Sequence, residues 1–150
     1  MKVKIKKLDP NAVIPTKAHA SDAGLDLTAV SKKVSSDTDF IEYGTGLAIE
    51  IPEGHAGFLF PRSSISKKDL SLANSVGVVD VGFLGEVRFR FKRTLANVYY
   101  EGWTAGTDSY DIGDRIGQLI ILPIPSIEFE EVEELEETER GDGGFGSSGS

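Results

Sequence analysis

Apolar residues recur with a period of two along most of the chain. Val3 and Ile5 alternate with Lys2, Lys4 and Lys6, the signature of a half-buried strand. Val87, Phe89 and Phe91 alternate with Arg88, Arg90 and Lys92, which predicts one buried and one wet face. Residues 46–51, 55–60 and 118–124 read as further strands, the last apolar enough to be buried on both sides. Turn signals separate them at Asp9-Pro10, Tyr43-Gly44, Ile51-Pro52-Glu53-Gly54 and Ile112-Gly113-Asp114. Many short strands with frequent Gly and Pro turns predict an all-β sandwich or barrel. One helical exception is expected over Ser63–Leu70, with Ser63 or Ser64 as its cap. No internal repeat is present.

Two regions break the rhythm. From Lys92 to Tyr110 the alternation loosens around Tyr99, Tyr100 and Trp103, which suggests a hairpin insertion whose aromatics pack at home or meet a partner. From Glu128 to Glu139 there are eight Glu and no base; Ile127 and Phe129 continue a strand phase, while Val132 and Leu135 fit a bulged strand or a helix turn. The last segment, 140–150, carries five glycines, almost no apolar surface, and reads as mobile.

A length of 150 residues suits one domain. The absence of cysteine removes disulfides, thiolate metal sites and thiol nucleophiles. No apolar run approaches the roughly 20 residues of a membrane span, and no signal-peptide pattern opens the chain. These features predict a cytoplasmic protein. A net charge of −8 makes nucleic acid a poor partner and at first argues against any polyanionic ligand.

Five segments could hold chemistry. In the tail, Arg140, Ser147, Ser148 and free glycine N–H groups could surround an anion while Phe145 stacks on something flat. Composition alone favours a linker there, and no Lys or helix follows to make a P-loop. Phe60-Pro61-Arg62-Ser63-Ser64 ends a strand and opens the expected helix, a place that favours phosphate, although a lone arginine more often serves a surface ion pair. Residues 74–86 flank a Gly-bracketed turn carrying Asp80, which on its own would be an ordinary turn aspartate. Ala23-Gly24-Leu25-Asp26-Leu27 and Gly113-Asp114-Arg115-Ile116-Gly117-Gln118 each place a polar group beside an apolar strand.

In this order the five segments resemble the motifs of the trimeric dUTPase family, and the likeness covers nearly the whole chain. The resemblance implies a jelly-roll-like homotrimer with a short helix, a C-terminal arm and a flexible lid, and three active sites built from all three subunits. It implies hydrolysis of dUTP to dUMP and pyrophosphate with Mg²⁺. Asp80 would activate the attacking water. Asn74 and the backbone from Gly77 to Phe83 would hold uracil and deoxyribose, Phe83 standing where the family commonly has Tyr. Gly82 stands where the family is often acidic. Arg62, Ser63 and Ser64 would grip phosphates, Gln118 would contact phosphate or metal-bound water, and Asp26 would reach Mg²⁺ through water. Phe145 would cover the uracil, with Gly146 in the lid and Arg140, Ser147 and Ser148 on the outer phosphate.

The implied organisation is a β domain over 1–139, with an insertion at 92–110 and an acidic arm at 127–139, followed by a lid at 140–150. Two alternatives remain at this point: a dUTPase-like regulatory protein that binds another protein through 92–110, and dCTP deaminase, which shares the fold. The charge also changes meaning. Without the eight arm glutamates, 16 basic and 16 acidic residues remain. Arg62, Arg115, Arg140 and Mg²⁺ can then meet a triphosphate without an evenly acidic surface against it.

Overall fold

The computed structural model describes residues 1–35, 40–94 and 109–144. Strand alternation dominates it. The strands are β1 (Lys4–Lys7), β2 (Leu25–Thr28), β3 (Ser31–Val34), β4 (Phe40–Gly44), β5 (Leu47–Glu50), β6 (His55–Phe60), β7 (Leu70–Leu72), β8 (Gly77–Val79), β9 (Arg88–Arg93) and β10 (Arg115–Pro123). They form two four-stranded antiparallel sheets, ordered β2-β10-β6-β8 and β3-β4-β9-β7, and a small β1-β5 pair. The result is a jelly-roll-like, all-β architecture. No helix of the described residues is long and apolar enough to cross a membrane.

The inner faces of both sheets share one core. Leu27, Leu59, Ile116 and Leu119 come from the first sheet, and Ile41, Tyr43, Phe89 and Phe91 from the second. In β9 the alternation is literal: Phe89 and Phe91 are buried while Arg88, Arg90 and Lys92 face out. Two of the polar groups inside are satisfied locally. The Tyr43 hydroxyl donates to Tyr110 O at 3.0 Å, and the Thr45 hydroxyl to Val87 O at 2.7 Å.

Several expectations change. Ser63–Leu70 is not an α-helix: a 3₁₀ turn spans Ser63–Lys67, Lys68 is already extended, and Leu70 opens β7. Neither Ser63 nor Ser64 caps it, since Arg62 holds the cap position without a side-chain bond. A buried apolar stripe is what sustains a longer helix, and the turn over Ser63–Lys67 buries none of its residues. The strand read over 118–124 begins earlier, at Arg115, and is not buried on both sides. Leu119 is inside, whereas Leu122 and Ile124 are each 46% exposed, because nothing among the described residues covers that end of the outer face. The strand phase of Ile127 and Phe129 does not continue either. Residues 124–139 form neither strand nor helix, and Phe129 is 93% exposed. The turn expected at Tyr43-Gly44 falls at Thr45-Gly46, where Gly46 has φ +65°. The insertion read over 92–110, with Tyr99, Tyr100 and Trp103, lies mostly outside the described residues.

Candidate active site

β10 is the spine of one half of the site. Gln118 lies opposite Asp26 of β2 on one side and Phe60 of β6 on the other. Opposed residues on neighbouring antiparallel strands share a face, so this register alone places Asp26 and Gln118 side by side. Two residues past Phe60, Arg62 turns back over the row. Its Nε donates to Asp26 Oδ1 at 2.8 Å, and an Arg115 terminal nitrogen donates to Asp26 Oδ2 at 3.0 Å. Gln118 Nε2 donates to Pro61 O at 3.3 Å, and its side chain lies against Gly24, where a Cβ would overlap it. The segments around Asp26, Arg62 and Gln118 thus converge as one polar cluster. Ser63 is exposed beside it, and Ser64 is half-buried.

The second half forms where the edge strands of the two sheets approach. Residues 73–76 carry the chain from β7 at the edge of one sheet to β8 at the edge of the other, and residues 80–87 carry it back to β9. Ser75 takes φ +62°, the left-handed conformation that tightens the first crossover. The second opens with a turn in which Phe83 N–H donates to Asp80 O at 3.2 Å. Gly82 occupies its third position at φ +86°, a conformation that favours glycine there over an acidic residue. Between the crossovers lies a cleft of about 500 Å³, within the size range of small-molecule sites. Asn74, Gly77, Val78 and Phe83 line one part of it. Gly77 is packed under Leu59 and Asn74, and the Phe83 ring lies over Gly85. Glu42, Arg88 and Arg90 line the other part; Glu42 pairs with Arg88 at 3.3 Å and with Arg90 at 2.7 Å. Hydrogen bonding to Glu86 holds the Arg88 guanidinium more firmly charged.

Asp80 is exposed at the start of its turn, and its carboxylate makes no hydrogen bond or ion pair among the described residues. No hydrogen bond or ion pair among those residues joins the Asp26 cluster to the cleft. Arg140 joins neither: on the exposed arm, its Nε donates to Gly143 O at 3.0 Å. Phe145, Gly146, Ser147 and Ser148 lie outside the described residues.

Motif reading leaves out Tyr110, which is buried beside the 3₁₀ turn. Burial pushes its phenol up, with the Ser64 hydroxyl and the Arg62 guanidinium opposing that shift. Its signal in the sequence is faint, a single aromatic at the last position of the 92–110 insertion. Arg88 and Arg90 were legible as outward residues, but not as a cleft wall.

Among the described residues no group of three or more His, Asp or Glu side chains could hold a metal. Asp26 nevertheless suits a water-mediated contact. Its two arginine bonds leave about two of its roughly four acceptor sites open. One hard carboxylate is the donor set expected for an ion that keeps its waters and takes direct contacts from phosphates.

A β-sandwich with a small-molecule cleft and an arginine–carboxylate cluster defines a class of small-ligand-binding jelly-roll proteins. Comparison makes the assignment specific. The dUTPase family model matches residues 10–149. A deoxyuridine 5'-triphosphate nucleotidohydrolase of Rhodococcus erythropolis is 40% identical over 134 residues, covering 87% of this chain and 76% of the relative. That of Corynebacterium glutamicum is 40% identical over 130 residues, covering 86% and 82%. Among solved structures, the dUTPase of Staphylococcus bacteriophage 80alpha with dUpNHpp superposes with a TM-score of 0.85 at 30% identity, covering 99% of both chains. A mutant dUTPase of S. aureus phage phi11, described as revealing the coordination of a structural Mg(II) ion, gives 0.74 at 26% identity, covering 91% of this chain and 100% of the other. The chain belongs to the dUTPase family.

Proposed function

We propose that this chain is a cytoplasmic enzyme hydrolysing dUTP to dUMP and pyrophosphate, with Asp80 as the base for the attacking water. The observation that carries the reading is the convergence of Asp26, Arg62 and Gln118, far apart in sequence, on one face. Around that core each motif residue has a task. Asp80 takes a proton from water as the water's oxygen bonds to phosphorus, the α–β bridge breaks, and pyrophosphate leaves. An exposed carboxylate with no competing partner is free to do so. Arg62 and Ser63 bind the phosphates, with Ser64 behind them and Gln118 alongside.

Asp26 would hold Mg²⁺ through water, and the ion, when bound, supplies neutralisation of phosphate charge. Asn74 and the backbone from Gly77 take the uracil edge, where cytosine would bring a donor against a donor. The Phe83 ring lies under the deoxyribose and crowds out a 2′-hydroxyl. Phe145 closes over the base, with Gly146 in the lid, while Arg140, Ser147 and Ser148 reach the outer phosphate and exclude bulk water.

The assembly in this reading is a homotrimer with shared sites. Two observations support it: no hydrogen bond or ion pair among the described residues joins the Asp26 cluster to the Asn74–Phe83 cleft, and the arm over 127–139 is exposed along its length. Each site then takes the cluster, the cleft and the lid from different subunits.

The test is pyrophosphate release from dUTP, dTTP, dCTP and UTP with and without Mg²⁺. The expected result is turnover of dUTP alone, with Asp80→Asn lowering kcat by about 10²–10⁴ while dUpNHpp still binds. Ammonia release from dCTP would replace the reading with a deaminase, and near-normal turnover by Asp80→Asn would remove Asp80 from the mechanism.

A second reading, a protein partner docking on 92–110, is favoured by the likeness to the phage 80alpha enzyme, whose group is described as controlling transfer of virulence genes. Deleting 95–108 and following activity alongside partner capture separates the two roles.

A further inference from the structure

Tyr110 is held on every side except at its hydroxyl. Its backbone oxygen accepts the Tyr43 hydroxyl at 3.0 Å. Its ring stands edge-on to Tyr43 with centroids 6.0 Å apart, and lies 5.6 Å from Phe91. Lys68 Nζ sits 5.3 Å above the ring and donates to Ser109 O at 3.3 Å. Lys32 Nζ donates to the Ser109 hydroxyl at 2.9 Å. Lys68 is also the residue that closes the 3₁₀ turn, through its N–H to Ile65 O at 2.9 Å. The Tyr110 ring is therefore clamped against the turn that displays Arg62 and Ser63.

The hydroxyl is a misfit in this setting. Tyr110 is 3% exposed, and its OH is the one buried side-chain polar atom among the described residues without a hydrogen-bond partner. Phenylalanine would fill the same space without that desolvation cost. The neighbouring polar groups that oppose its raised pKa are the Ser64 hydroxyl and the Arg62 guanidinium. The Ser64 hydroxyl is near enough to act on the phenol, yet the phenol oxygen has no hydrogen-bond partner in the free protein.

We infer that Tyr110 is a positioning residue for the phosphate grip: its hydroxyl donates to Ser64 Oγ when substrate draws the 3₁₀ turn inward, and so fixes Arg62 and Ser63 against the phosphates. The inference rests on the proposed role of the Arg62–Ser64 turn. An unpaired hydroxyl in the free protein then has a use, because the bond forms only in the bound state. A group whose interaction strengthens on binding adds to affinity without stabilising the empty site.

The experiment compares Tyr110→Phe, Ser64→Ala, the double variant and Arg62→Ala in the full chain. The readouts are pyrophosphate release from dUTP, dUpNHpp binding and thermal melting. Tyr110→Phe is expected to melt at or above the parent temperature, to raise KM and the dUpNHpp Kd about fivefold, and to leave kcat within about twofold. Ser64→Ala should do the same, and the double variant should be no worse than Ser64→Ala alone. An unchanged KM in Tyr110→Phe beside a defective Arg62→Ala overturns the Tyr110 role only. Additive losses in the double variant, or a KM change that merely follows a lowered melting temperature, also overturn it. If Arg62→Ala itself binds and turns over dUTP normally, the phosphate reading of the turn falls instead.

Discussion

The Arg62 guanidinium and the Asp26 carboxylate meet at 2.8 Å, and both side chains are about three-quarters buried, at 28% and 21% exposure. The residue proposed to take phosphate and the residue proposed to face Mg²⁺ thus hold each other in the free protein. Arg115 completes the arrangement at 3.0 Å from the other oxygen. Arg62 commits its Nε to Asp26, so its terminal nitrogens can take phosphate while the pair stays together beside the metal-facing carboxylate. Asp26→Asn should therefore weaken the response to Mg²⁺ by about 10–100-fold, the range seen when outer-sphere metal partners are lost. A Mg²⁺ titration of pyrophosphate release checks this, and an unchanged half-saturation would take Asp26 out of metal binding.

Gly24 tests whether Gln118 must lie where it does. A Cβ at Gly24 would overlap the Gln118 amide, which is the far end of a flexible side chain and can move. Gly24→Ala should keep the melting temperature near that of the parent while raising KM for dUTP about tenfold, the scale of a small misplacement in a site. Steady-state kinetics beside a melting curve separate this from misfolding.

Gly117, one residue away, faces inward, and the contrast is instructive. There a Cβ would run into the ring of Phe89, which is 1% exposed, with Phe60 O only 2.9 Å away. Neither neighbour can swing aside, so Gly117→Ala should cost about 1–3 kcal/mol of stability. For a chain of this size that corresponds to a melting temperature lower by roughly 2–12 °C. Adding Phe89→Leu should recover part of the loss if the ring is the obstacle.

High pH should unfold the protein through its buried phenols. Burial pushes both Tyr43 and Tyr110 above the usual tyrosine value. The native state then keeps its protons while the unfolded chain gives them up. The stabilisation is full below about pH 10 and is lost as pH rises through the folded values. Melting curves taken between about pH 8 and 11 should fall steeply at the upper end, and Tyr110→Phe should soften that fall.

Much of the scaffold could be read locally. The alternation of Val87, Phe89 and Phe91 with Arg88, Arg90 and Lys92 became β9 with that burial pattern, and residues 55–60 became β6 over the same span. Where local reading failed, burial was the missing term. Ser63–Leu70 has a helical look, but with no buried stripe it closes only one 3₁₀ turn. The apolar positions of residues 124–135 resemble a core element, yet the described residues offer them nothing to pack on.

The candidate site divides along the same line. Motif order pointed to Asp26, Arg62, Asn74, Gly77, Phe83 and Gln118, because each needs a residue type that its neighbours in sequence reveal. Their grouping could not be read that way. Asp26 meets Arg62 and Gln118 through the registers of β2, β10 and β6, whereas Asn74 and Phe83 belong to crossovers between sheet edges. The unpaired Tyr110 hydroxyl was equally invisible, being defined by what surrounds it in space. The sequence alone determined strands β1, β5, β6 and β9, the all-β class and the inventory of chemical groups, since period-two burial and turn chemistry act over a few residues. Only the tertiary structure decided which charges are paired, which glycines cannot take a Cβ and which hydroxyl goes without a partner. Those depend on contacts between residues tens of positions apart, brought together by strand register and core packing.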